Sequence, residues 1–211
     1  MKKITSVLLV LIMILSAVGL SGCKKEEQVD NVALAESELR VYFSALGGFN
    51  LEAMKDCVEG KDENDIGFST ENISYEYVQT NKYKSSVKEM YRALGKTIEF
   101  KINSKEETDD GKVVFDLKIK YADVEEEPMV KYTNSKVDEY VEKNPQFFEF
   151  NEVKQNDVAI SVMAQAYEEY LQLTERLEKD FKFTMSNETG AYKVHTDDNK
   201  EFFEFLADLF G

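Results

Sequence analysis

The chain has 211 residues and a formal net charge of −15, with 41 acidic residues against 26 basic ones. That balance excludes charge-driven binding of nucleic acid, which needs a basic surface to release counterions. Only 2 Pro and 10 Gly beside 43% hydrophobic residues exclude a collagen-like or disordered chain, and 2 Cys with 1 His leave no Cys/His zinc site and no disulfide framework.

The chain opens on Met1-Lys2-Lys3, and Ile4 to Leu20 follows without a charge, with an aliphatic centre from Val7 to Leu15. This is the pattern of a secretory signal. An uncleaved span would sit at the short edge of what crosses a bilayer, and Lys24-Lys25 mirror Lys2-Lys3, so charge does not decide between the two. Leu20-Ser21-Gly22-Cys23 decides it, because it resembles the bacterial lipobox. The resemblance implies a diacylglyceryl group on the Cys23 thiol and cleavage just before it. Two acyl chains anchor stably, each buried methylene adding about 0.8 kcal/mol. The expected partner is therefore the membrane, through a lipid on Cys23, with the domain on the outer face of the cytoplasmic membrane. Residues 1–22 form the signal peptide and 23–30 the lipidated Cys with a polar tether. Residues 31–211 form one α+β domain, and the mature chain keeps 189 residues at charge −17.

Past the tether, Val32, Ala35, Leu39, Tyr42, Phe43 and Leu46 recur at spacings of three and four, the signature of an amphipathic helix. Gly47-Gly48 is expected to end it, and Asn50 to cap a short helix carrying Leu51, Met54 and Val58. A polar stretch runs from Glu59 to Asn72, and Tyr83 to Leu94 reads as a third helix stopped at Gly95. Ile98, Phe100 and Ile102 then alternate with charged or polar residues. After Thr108-Asp109-Asp110-Gly111 the alternation resumes through Val113, Phe115, Leu117, Ile119 and Tyr121. An Asp-Gly turn between alternating runs predicts a hairpin with one apolar face. Met129 to Lys143 reads as a helix stopped by Asn144-Pro145. A long helix is expected from about Glu152 to Lys179, with Ile160, Met163, Tyr167, Tyr170, Leu171, Thr174 and Leu177 on its inner stripe. A second hairpin follows, Phe181 to Ser186 turning at Asn187-Glu188-Thr189-Gly190 into Tyr192 and Val194. Asp198 with Glu201 suggests a capping box for a last helix bearing Phe202, Phe205, Leu206 and Leu209. This order predicts a curved antiparallel sheet of two hairpins, wrapped on one face by helices.

Tyr42-Phe43 with Ala45-Leu46, then Leu51-x-x-Met54, and the closing Gly190-Ala191-Tyr192-Lys193-Val194 before a final short helix resemble the nuclear transport factor 2-like (cystatin-like, cone-shaped) domains of surface lipoproteins from Gram-positive bacteria. Those usually place Trp where Tyr192 stands, and this chain has none. The resemblance implies a cone-shaped fold in an extracellular lipoprotein and no particular activity.

Few residues offer chemistry. His195 stands at a strand end beside Asp197 and Asp198, a position that is usually solvated. Cys57 is the one thiol left after lipidation and reads as a small buried hydrophobe. Asp62-x-Asn64-x-Ile66-Gly67 imitates a calcium loop but has Ile66 and Ile73 where oxygen ligands belong, so no metal is expected. No phosphate-binding glycine loop or nucleophile elbow occurs, and no cofactor is expected. Tyr121, Tyr167, Tyr170, Phe183 and Tyr192 are expected to point inward, as core or as the lining of a hollow. The expected function is a lipid-anchored binding or accessory domain without catalytic activity. The alternative is an isomerase- or dehydratase-type enzyme with an acid or base in that hollow, against which the apolar run of Ile98, Phe100, Ile102, Phe115, Leu117 and Ile119 argues. A two-lobed solute-binding protein is disfavoured by size.

Overall fold

In the computed structural model, which describes residues 30–59, 65–68, 84–187 and 190–211, the first helix, α1, spans Asn31–Gly47 and buries Ala35, Leu39, Tyr42, Phe43 and Leu46 as their spacing predicts. It ends at Gly47, where Gly47-Gly48 are expected to end it. The residue that takes the left-handed conformation is Phe49 (φ 45°), not a glycine, and it lets the Asn50 amide donate back to the Ala45 carbonyl at 2.9 Å. Burial compensates the steric strain of that conformation, since Phe49 is fully enclosed between Tyr91 and Phe210. Asn50 then caps α2 (Leu51–Cys57), accepting the Ala53 amide at 3.3 Å.

Helix α3 spans Lys84–Gly95. The first hairpin forms where alternation places it, β2 over Glu99–Glu107 and β3 over Val113–Ala122, with Gly111 at φ 79° in the turn. Val113, Phe115, Leu117 and Ile119 are fully buried on one face of β3. Its outer positions meet opposite charges on the neighbouring strand: Asp116 faces Lys182, Lys118 faces Asp180 and Lys120 faces Glu178. Directly opposed charges of unlike sign favour this register over a slipped one.

Helix α4 (Glu126–Lys143), a 3-10 turn (Pro145–Glu149) and α5 (Glu152–Leu173) form a helical hairpin. Helix α5 packs against α3 as well as α4, through its buried Tyr167 and Leu171 end, while Phe148 and Val153 stay exposed near the turn. The expected helix to Lys179 is too long. It stops at Leu173, where the Thr174 amide and hydroxyl both donate to the Tyr170 carbonyl and its backbone turns extended. Thr174 and Leu177 are therefore off the helix, and Leu177 lies in β4 (Arg176–Ser186), which pairs with β3 along Val113–Ala122. The central strand needs a partner along its whole length, and that pairing outweighs the helical spacing.

The closing strand β5 (Lys193–His195) pairs antiparallel with β4 and parallel with a two-residue strand, β1 (Val58–Glu59), which the two-hairpin expectation lacks. The sheet order is β1-β5-β4-β3-β2. The expected capping box does not form. A 3-10 turn (Asp197–Asn199) precedes α6 (Lys200–Phe210), and Asn199 at its start makes no side-chain cap. Helix α6 places Phe202 against Phe181 and Phe183 at ring separations of 5.4 and 5.1 Å. Full burial of a Phe of this kind contributes about 1.5–3 kcal/mol. The result among the described residues is an α+β fold of six α-helices and a curved, open, mainly antiparallel five-stranded sheet.

Residues 1–29, with the signal segment, Cys23 and most of the tether, lie outside the described residues, as do Asp62, Asn64, Ile73, most of the polar stretch from Glu59 to Asn72 and the Glu188-Thr189 part of the second turn. Among the described residues no helix is long and apolar enough to cross a membrane.

Candidate functional site

The five aromatics expected to point inward, as core or as the lining of a hollow, are spread over β3, α5, β4 and the segment before β5. Phe183 sits in the packed centre, 6.0 Å from the Tyr42 ring and 5.1 Å from that of Phe202. Tyr121 lies six positions away along the same ladder, against Phe205 at 4.8 Å. Tyr167 and Tyr170 belong to α5; Tyr170 faces Tyr132 of α4 at 5.6 Å, and burial raises the Tyr167 hydroxyl far above its ordinary pKa. Tyr192 is core, its hydroxyl donating to the Gly111 carbonyl at 3.3 Å. The ladder thus separates Tyr121 from Phe183, and Tyr167 and Tyr170 lie on α5, which packs against α3 and α4.

His195 has Nδ1 3.7 Å from Asp198 Oδ2, too long for a hydrogen bond, and that oxygen already accepts from Lys112 Nζ at 2.9 Å. Among the described residues no carboxylate is hydrogen-bonded to the imidazole to orient it as a base. Cys57 is buried, and burial, with lesser contributions from Glu38 and Asp56, pushes its thiol up to about 11. Among the described residues no group of three or more His, Cys, Asp or Glu is placed to hold a metal.

An open cleft lies elsewhere, between the first three helices. It has a volume of ≈ 750 Å³. Ser37, Arg40, Val41 and Ser44 of α1 form one wall, and Lys88 and Arg92 of α3 the other; Gly48, Asn50 and Ala53 close the end. The tight reversal at Phe49 brings α2 back beside α1 and opens this groove. Arg92 Nε donates to the Gly48 carbonyl at 3.3 Å and so ties α3 to that reversal. Arg40 is braced from the other side: its Nη2 lies 2.6 Å from Glu36 Oε1, and its guanidinium sits 5.7 Å from the centre of the Phe100 ring. Glu36 also accepts from Lys105 Nζ at 2.5 Å. These two cations, Lys105 foremost, hold the Glu36 carboxyl below the usual glutamate range. Among the described residues no carboxylate lines the groove itself. Three cations over serine hydroxyls can hold an anion.

Sequence reasoning missed this groove. A signal was present: Lys84, Lys88, Arg92 and Lys96 recur every four residues in an otherwise acidic chain.

No protein-family model matches the chain, and no curated protein matches it. Among solved structures it is similar to the crystal structure of a putative lipoprotein (ycdA) from Bacillus subtilis, with 19% identity over 86% of this chain and a TM-score of 0.49. The likeness spans 57% of that protein's length.

Proposed function

We infer that the protein is a lipid-anchored binding or accessory domain on the outer side of the cytoplasmic membrane, built on a nuclear transport factor 2-like cone and without catalytic activity. The anchor rests on Leu20-Ser21-Gly22-Cys23 after an uncharged segment. The non-catalytic part of this reading is supported by one observation above all: buried aromatic rings fill the helix-covered face of the sheet. Tyr42, Phe43, Phe115, Phe181, Phe183 and Phe202 are all buried there in mutual ring contact or on adjoining strand positions. An isomerase or dehydratase of this architecture needs an acid or base facing that space. The buried polar side chains among the described residues are Thr97, Thr133, Ser186 and Asn199, and each is hydrogen-bonded within the fold. The buried Tyr42 hydroxyl has no hydrogen-bond partner among the described residues, and burial holds it neutral.

Metabolic labelling with an alkyne fatty acid in cells expressing the full chain tests the anchor. Wild type is expected to take up label and fractionate with membranes. Cys23→Ala is expected to remain unprocessed or be released, and a variant still membrane-bound at its mature mass would refute the anchor. Crosslinking of the acylated protein in its membrane tests the binding role. Turnover of a small molecule by the purified protein, abolished in His195→Gln, would overturn it.

A further inference from the structure

We propose that the groove between α1, α2 and α3 receives an acidic amphipathic helical segment of a partner protein. This deepens the binding reading above and rests on it.

The first observation is charge. Acids outnumber bases 41 to 26 in the chain, yet Arg40, Lys88 and Arg92 line the groove and, among the described residues, no carboxylate does. Lys88 and Arg92 stand four residues apart on α3, where like charges destabilise a helix. Among the described residues Lys88 has no carboxylate partner, and Arg92 is bound to a neutral carbonyl alone. Arg40 has Glu36, but Glu36 is shared with Lys105. The groove thus carries a positive field that its own walls do not neutralise, which is what an acidic partner complements.

The second observation is shape. Val41 on the groove wall is 47% exposed, and Leu34, seven residues earlier on the same helix, is 48% exposed. Ser37 and Ser44 continue that stripe at helical spacing and line the groove with Val41. An apolar-and-small stripe of period seven, with cations beside it, matches a helix that offers apolar residues one or two turns apart and carboxylates on its flank. A phosphate-bearing polymer would use the cations and gain nothing from Leu34 or Val41.

Fluorescence polarisation on the full chain in detergent tests this. The probe is a fluorescein-labelled 18-residue synthetic helix with Leu at heptad positions and Glu beside them. Wild type is expected to bind it, more weakly as salt rises. Lys88→Glu with Arg92→Glu is expected to weaken binding by about tenfold or more in the folded protein, and to prefer the same peptide with Lys in place of Glu. If the reversal does not fold, Lys88→Gln with Arg92→Gln is expected to weaken binding in the same direction. Four outcomes overturn the proposal: no binding, equal binding by the charge variants, polyphosphate or a Leu→Ser peptide competing as well as the probe, or self-association that Lys88→Glu abolishes in place of peptide binding. Failure here with crosslinking intact removes the groove and leaves the anchored binding domain standing. Loss of Cys23 labelling removes the anchor and leaves the groove untouched.

Discussion

Asn199 holds Thr184 by two hydrogen bonds, its Nδ2 donating to the Thr184 carbonyl at 2.7 Å and its Oδ1 accepting the Thr184 amide at 2.8 Å. The same Nδ2 donates to the His195 carbonyl at 2.8 Å. Strand β5 pairs with Met185 and Ser186, and the Asn199 side chain continues that ladder by one residue. A buried side-chain amide thus completes a strand edge and ties the last helix to the sheet.

Asn199→Ala should therefore lower stability by about 2–4 kcal/mol, because three backbone groups lose their partner. Asn199→Asp should not rescue it, since it keeps the acceptor, loses both donors and buries a charge. Urea unfolding measures this, and a loss below about 0.5 kcal/mol would show that water replaces the amide.

Gly111 and Gly67 both have positive φ, at 79° and 92°. A Cβ on Gly111 would meet nothing within 4 Å, whereas one on Gly67 would lie 1.9 Å from Phe203 Cε1, on a buried ring. Gly111→Val should cost more than about 1 kcal/mol from backbone strain alone. Gly67→Ala should cost a further 1–3 kcal/mol or so, because the ring must move. Equal losses in thermal melts would show that Phe203 yields freely.

The Cys57 thiol, pushed up to about 11, should resist alkylation near pH 8 in the folded protein and react on unfolding. Its folded value lies above the unfolded one of about 8.5. Its contribution to stability is therefore complete below that pH and declines as pH rises toward 11. Iodoacetamide labelling with and without urea checks the first point, and unfolding measured between neutral and strongly alkaline pH the second. Rapid labelling of the native protein would contradict both.

Glu36, held low by Lys105 and Arg40, works in the opposite sense. Its contribution is present above the ordinary glutamate value of about 4.3 and is lost as pH falls through its lowered folded value. The group is near the surface, so salt should weaken the effect. An NMR titration of the Glu36 carboxyl should show the depression in wild type and most of it gone in Lys105→Ala.

Much of this fold was legible locally. The spacing of Leu39, Tyr42, Phe43 and Leu46 marks α1, and Asn50 marks a cap that forms. Asp110-Gly111 marks the hairpin turn because a tight turn needs a positive φ that glycine adopts without strain. Each signal is carried by residues a few positions apart, and each acts within one element.

What spacing alone misplaced depends on distant partners. Thr174 to Lys179 suit a helical stripe as well as a strand, and the open edge of β3 selects the strand. Phe49 adopts a left-handed backbone because Tyr91 and Phe210 enclose its ring. Asn199 serves Thr184 instead of the helix that follows it, since β5 ends one residue short. The groove divides the same way. Lys88 and Arg92 announce a basic face on α3, but Arg40 joins them only when the reversal at Phe49 and the Arg92–Gly48 bond bring α1 alongside. Periodicity records which face of an element is apolar or charged; which other face it meets is decided when the chain closes and long-range backbone groups must all be paired.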